Sequence, residues 1–193
     1  PFFETMNELD APVGFHAVTG MHDTPWADCF TDFFSTHVTA MPFSMMVGMM
    51  SLVRSGLFKK LPRLRCAFLE IGASWLSYWS WWVGKHIEHV LEPRAGRKDS
   101  AWGREPYELP DTVREPAEDI REGRILSGFE ADENLRAVID RLGTKAFMYA
   151  SDYPHSDMDW NRVQTIKGSA ALTSAEKADL LGENARRFYN LRI

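Results

Sequence analysis

Four short apolar runs, each closed by an ionisable residue, set the limits on what this 193-residue chain can fold into. They are Ala11 to Ala17 with His16 near its end, Leu64 to Glu70, Arg124 to Glu130, and Ala146 to Ala150 leading into Asp152. Runs this short, with few interrupting charges, read as strands buried on both faces, the pattern of a parallel sheet covered by helices. Helical spacings alternate with them: Phe2 to Leu9, Cys29 to Arg54, Trp75 to Leu91 and Asp132 to Leu142, then a last helix opened by the capping box Thr173 to Glu176. Strands and helices in alternation predict βα units and an α/β fold.

Local signals sharpen this reading. Pro42 predicts a break in the second helix and Gly56 its end. Met45, Met49 and Val53 fall on one stripe, which reads as core filling. Ser74 predicts a cap for the following helix, which carries Trp75, Tyr78, Trp79, Trp81 and Trp82. Those rings cannot all face one way, so some are expected against a second subunit or against the next segment. His86 and His89 on the same helix read as a solvated face, since no third ligand accompanies them. The stretch from Glu92 to Glu118, rich in charge, proline and glycine, reads as a long surface excursion from a single domain spanning residues 1–193.

Bulk properties exclude some classes. A net charge of −5 leaves no basic footprint for nucleic acid. No apolar run approaches the ~20 residues of a membrane helix, so no membrane span is expected. Cys29 and Cys66 make no metal spacing, which leads to the expectation of a reduced, cytoplasmic setting. The sequence holds no dinucleotide fingerprint, phosphate loop or nucleophile elbow. Its start, Pro1-Phe2-Phe3-Glu4, reads as the interior of a longer chain.

Asp152 is the first candidate for chemistry. A carboxylate at the C-terminal end of a buried strand is costly unless a cation, a metal or several hydrogen bonds receive it. In parallel α/β folds, ligands bind at that end. His155 lies one turn away. His16, Glu70 and Glu130 share the strand-end position, and imidazole with carboxylate suits zinc, iron or manganese better than calcium. Each residue also has a plainer reading: Asp152 as a loop cap, His16 as a core histidine, Glu70 as the partner of an arginine, Glu130 as the start of the next helix.

Ser151-Asp152-Tyr153-Pro154-His155, the run Leu61-Pro62-Arg63-Leu64-Arg65 followed by Phe68-Leu69-Glu70-Ile71-Gly72-Ala73-Ser74-Trp75, and Pro12-Val13-Gly14-Phe15-His16 resemble the amidohydrolase-related proteins. That branch of the amidohydrolase superfamily includes aminocarboxymuconate-semialdehyde decarboxylase and aromatic-acid decarboxylases. Gly182-Glu183-Asn184-Ala185-Arg186-Arg187-Phe188 resembles the family's closing helix. The resemblance implies a metal-dependent (β/α)₈ barrel, a TIM barrel, of which this chain supplies strands five to eight. It matches His16 to a metal histidine and Asp152 to the aspartate that binds metal and handles protons. Glu70 stands where many relatives have a histidine, which leaves open whether it touches metal, substrate or a basic neighbour.

The implied chemistry is hydrolysis or decarboxylation of a small carboxylated or carbonyl-bearing, aromatic-tolerant substrate. Asp152, Glu70 and His155 would be the catalytic groups, and a divalent ion the cofactor, zinc first, with manganese or iron as alternatives. Trp75, His22 and Trp26 are expected to line the pocket. The family's paired ligands on strand one are absent from this sequence, so an amino-terminal half is expected upstream or from another chain, in a homo-oligomer. The competing readings are a non-catalytic half-barrel and a small-ligand-binding α/β domain.

Overall fold

Val13–Phe15, Cys66–Phe68 and Ile125–Ser127 (β1, β2 and β3) lie side by side as a parallel sheet in sequence order. Val13 is opposite Cys66 and Cys66 opposite Ile125; Phe15 is opposite Phe68 and Phe68 opposite Ser127. This computed structural model describes residues 1–16, 29–91, 113–155 and 159–192, without the side chains of 89–91. The strands are shorter than their apolar runs because the chain turns out of extended geometry just beyond them, at Glu70 and Gly72 after β2. The fourth run departs most from expectation. Its start is wound into the 3₁₀ turn Thr144–Ala146, and Phe147 alone bridges to Ser127. Met148 N–H still donates to the Ser127 carbonyl at 3.1 Å, but Tyr149 N–H donates to Leu180 of the C-terminal helical segment at 3.0 Å.

Side-chain alternation divides the sheet into two faces. Cys66, Phe68, Ile125 and Phe147 join the main core with Met45 and Met49, Leu76 and Val83, and Val138 and Ile139. Those residues come from Phe33–Ser55 (α2), Ser74–Leu91 (α4) and Leu135–Leu142 (α6). Ala67, Leu126 and Met148 face the other way and gather around Phe188. Phe68 lies at the centre, stacked on Phe15 at 5.0 Å and edge-on to Trp75 at 5.6 Å.

Helix ends follow local chemistry, with two corrections. The first helix, α1, is Phe2–Glu8; α2 is capped by Asp32, whose side chain accepts from Ser35 N–H at 2.8 Å, and ends at Gly56, with φ 66°. Leu57–Lys60 (α3) follows at once. Pro42 does not break α2. The hydrogen bond it forfeits falls on the carbonyl of Val38, whose residue is 56% exposed and open to water. α2 is also long and apolar enough to cross a membrane, contrary to expectation. Its polar residues are uncharged apart from Arg54, and its stripe of Ala40, Met41, Met45, Met49, Leu52 and Val53 is spent on the core. In α4, Trp75 points inward and Trp79 donates from Nε1 to the Met46 carbonyl at 3.0 Å; Tyr78, Trp81 and Trp82 form an exposed cluster.

Part of the expected surface excursion is structural. Pro116–Arg121 (α5) buries Ala117 and Ile120, while residues 92–112 lie outside the described residues. Arg162–Gly168 (α7) precedes the closing segment, where Ser174–Ala178 (α8) starts at the expected capping box and Asn184–Phe188 (α9) ends the fold.

The N-terminal end of the sheet is tied by arginines. Arg65 donates to the Asp10 carboxylate at 2.6 Å, the Asp10 carbonyl at 2.7 Å and the Phe188 carbonyl at 2.9 Å, and it holds the Asp10 carboxyl below the usual range. Asp119, buried, sits between Arg114 and Arg124, and Arg124 also donates to the Phe58 carbonyl at 2.8 Å. Structural charge pairing gathers here. The other end carries different chemistry.

Candidate metal centre

Parallel pairing delivers the residues after β1, β2 and the fourth run to one end of the sheet. His16 follows β1 directly, and its Nε2 lies 2.6 Å from Glu70 Oε1. His155 Nδ1 lies 2.9 Å from Asp152 Oδ1. Glu70, Asp152 and His155 each offer one donor atom, all within 4.8 Å of one another. The structure thus brings Glu70, Asp152 and His155 to ligand spacing, and His16 reaches the group through Glu70. The two carboxylate side chains are 26% and 24% exposed, the imidazoles 51% and 63%, so the acids sit lower in the site and the rings at its rim.

Backbone geometry sets this convergence. Glu70 has φ 68° and Asp152 φ 58°, left-handed values that non-glycine residues rarely adopt. Each costs on the order of 1–3 kcal/mol, which the surrounding structure must overcome. Two carboxylates whose donor atoms lie within 4.8 Å of each other also repel. Strain and repulsion at the same place mark a site shaped for a ligand. The donor set of two carboxylates and two imidazoles from separate strand ends fits a divalent transition ion.

Glu130 is the strand-end residue that does not join. Its carboxylate pairs with Nη2 of Arg162, whose side chain is 5% exposed, and Arg162 Nη1 donates to the Ala150 carbonyl at 2.9 Å. A buried guanidinium needs a carboxylate, and Glu130 is the one in reach. Burial still outweighs that arginine and raises the Glu130 carboxyl above its ordinary range. Trp75, expected to line a pocket, is buried, and its Nε1 donates to Ser127 Oγ at 3.0 Å; its large apolar ring serves the core instead. His22 and Trp26 lie outside the described residues.

Sequence reasoning missed Glu133. Its carboxylate accepts from Ala73 N–H at 2.8 Å, Ser74 N–H at 2.8 Å, Ser74 Oγ at 2.7 Å and Glu130 N–H at 2.8 Å. It therefore caps α4 in place of Ser74, which is the first residue of that helix. Gly72, with φ 70°, leaves the room: a Cβ there would stand 3.0 Å from both Glu133 oxygens. Glu133, Glu130 and Arg162 together bind the β2, β3 and fourth-run loops into one girdle under the site. Tyr153 and Trp160 were also missed. Both are exposed, with rings 6.2 Å apart, on the loop that carries Asp152 and His155. A cavity of about 320 Å³ lies elsewhere, between α6 and α7, lined by Arg136, Thr165 and Leu172 among others.

A family model described as Amidohydrolase matches residues 1–191. The 2-amino-3-carboxymuconate-6-semialdehyde decarboxylase of Dictyostelium discoideum is 25% identical over 197 residues, covering 99% of this chain and 48% of the relative. The chain thus spans about half the length of the curated relative it matches. The crystal structure of 5-carboxyvanillate decarboxylase from Sphingomonas paucimobilis overlays 98% of this chain and 52% of its own, with a TM-score of 0.73 and 20% identity. A dihydroxybenzoic acid decarboxylase from Polaromonas sp. JS666, solved with bound manganese and the inhibitor 2-nitroresorcinol, overlays 100% of this chain and 54% of its own, with a TM-score of 0.70 and 18% identity. At these identities the structural likeness shows the fold: the chain overlays part of a TIM barrel.

Proposed function

The chain belongs to the amidohydrolase family, and we propose that the protein is a metal-dependent carboxy-lyase that removes carbon dioxide from a small aromatic or unsaturated carboxylic acid. The observation that carries this reading is the facing of two pairs, His16 with Glu70 and Asp152 with His155, at the C-terminal end of one parallel sheet. The decarboxylase names of the relatives support carbon–carbon cleavage over hydrolysis.

His16 and Asp152 hold the divalent ion in this reading. When bound, the ion supplies positive charge for the substrate's oxygens and for the negative charge that builds as the bond breaks. The proton is held between His155 Nδ1 and Asp152 Oδ1, 2.9 Å apart. It passes to the substrate carbon as the bond to the carboxylate carbon breaks. Carbon dioxide leaves, the bonding electrons stay on the substrate carbon, and a C–H bond replaces the C–C bond. Glu70, at 2.6 Å from His16 Nε2, fixes that ring's orientation. The exposed rings of Tyr153 and Trp160 offer an aromatic wall beside Asp152, and His22 and Trp26 stay candidates for the substrate pocket. The four strand regions correspond to strands five to eight of the barrel, completed by an amino-terminal half from the same chain or another.

The test is an assay of carbon dioxide release, in deuterated water with added manganese, from hydroxybenzoates, 5-carboxyvanillate and 2-amino-3-carboxymuconate semialdehyde. The reading predicts equal release of carbon dioxide and uptake of one deuterium at the vacated carbon. Turnover of ester, lactone or amide analogues with no carbon dioxide from any acid contradicts it and favours hydrolysis.

A further inference from the structure

Several of the less exposed carboxylates among the described residues meet arginine. Asp10 has Arg65, Asp119 has Arg114 and Arg124, Glu130 has Arg162, Glu176 has Arg136, and Asp179 has Arg187. Glu133, the other densely bonded acid, is met by backbone N–H groups. Glu70 and Asp152 differ. Their donor atoms lie within 4.8 Å of each other and of His155, and their ion-pair partners among the described residues are imidazoles. Two negative groups meet there, and among the described residues no guanidinium pairs with either of them. A mobile cation is what such a place lacks.

We propose that Glu70 is itself a ligand to the divalent ion, so that Glu70 and Asp152, with His155 and His16 beside them, make a carboxylate-rich donor set. This rests on the metal-dependent reading above and extends it, since there Glu70 only orients His16. Donor atoms on adjacent corners of an ion's coordination shell stand about 3 Å apart, given bonds of 2.0–2.1 Å. The 2.6 Å between Glu70 and His16 and the 4.8 Å envelope of Glu70, Asp152 and His155 bracket that spacing, and Glu70 is the member common to both. Ligand hardness gives the consequence. Replacing an imidazole by a carboxylate moves a site from zinc towards manganese, although zinc binds most sites more tightly in absolute terms. Glu70 is thus the residue that sets which ion the site accepts.

Chelator-stripped protein titrated with manganese chloride, followed by the paramagnetic resonance signal of the free ion, reads this directly, and competition with zinc reads selectivity. Glu70→Gln keeps the shape and loses the charge, and circular dichroism confirms that each variant is folded. We expect Glu70→Gln to weaken manganese binding by about 100-fold, at least the effect of losing an outer-shell partner. Glu70→His should restore ion binding with the zinc-to-manganese affinity ratio raised about tenfold or more. Glu70→Gln titrating like the parent, while Asp152→Asn and His16→Ala lose the ion, overturns this assignment and leaves the metal-dependent reading standing. An unchanged ratio in Glu70→His also overturns it. A parent protein that takes up no manganese overturns both.

Discussion

Replacing Arg162 by methionine keeps the aliphatic stem and removes the guanidinium that joins Glu130 to the Ala150 carbonyl. Breaking a buried ion pair costs about 3–5 kcal/mol when the remaining charge is fully enclosed. Glu130 is 44% exposed, so water recovers part of that loss. The Ala150 carbonyl loses a hydrogen bond of about 1 kcal/mol. The sum comes to about 2–4 kcal/mol, and for a chain of this length that lowers the melting temperature by about 8 °C. Glu130→Gln keeps a hydrogen bond but leaves the Arg162 guanidinium, 5% exposed, without its carboxylate, so it should cost about 2–4 kcal/mol. The double variant should lose less than the two single losses added together, because both act on one pair. Melting followed by circular dichroism on the parent and the three variants measures every term. Arg162→Met melting within about 1 °C of the parent would refute the girdle as a structural element.

Asp152→Asn should abolish nearly all carbon dioxide release while the melting temperature stays close to the parent's, since the amide can neither carry the proton nor bind as an anion; near-parental turnover would reduce Asp152 to a loop residue. Glu176 is held at about 2, below its ordinary 4.5, first by the Thr173 N–H and then by Arg136. Its folded pKa is depressed, so its stabilisation is present above pH 4.5 and is lost as pH falls towards 2. Glu176→Gln should therefore flatten the loss of stability across that window, and an identical acid profile would remove Glu176 from the account. Cys66 is buried and its thiol is pushed up to about 12 by burial, whereas Cys29 is exposed. A thiol reagent should modify Cys29 in the native protein and Cys66 only on unfolding; fast native labelling of both would contradict the packing around β2.

Features written in contiguous residues are legible in the sequence itself. Thr173 to Glu176 forms its capping box, Gly56 ends α2, and α6 buries Leu135, Val138, Ile139 and Leu142 as its spacing requires. The meeting of Glu70 with Asp152 and His155, and of His16 with Glu70, is legible because parallel pairing carries the ends of these runs towards one edge, so a local pattern fixes a non-local position. Contacts made across the chain are hidden. Glu133 reaches α4 across sixty residues, and nothing near Ser74 announces it. Glu130 has the pattern of a site residue, but Arg162, 32 residues on, claims it. Pro42 carries a strong local signal that an exposed carbonyl makes harmless, and the fourth run reads as a strand although Gly143 and Leu180 divert its two ends. Trp75 shows the limit of composition: a tryptophan beside a strand end suits a pocket or a core equally, and only packing on Phe68 decides.

The most direct test of the central claim is an anomalous difference map from a crystal of the protein soaked in manganese chloride and measured at the manganese edge. The account predicts one strong peak at the C-terminal end of the sheet, within about 2.5 Å of oxygen from Asp152 and nitrogen from His16. A map with no peak there, or with its strongest peak against other residues, contradicts it.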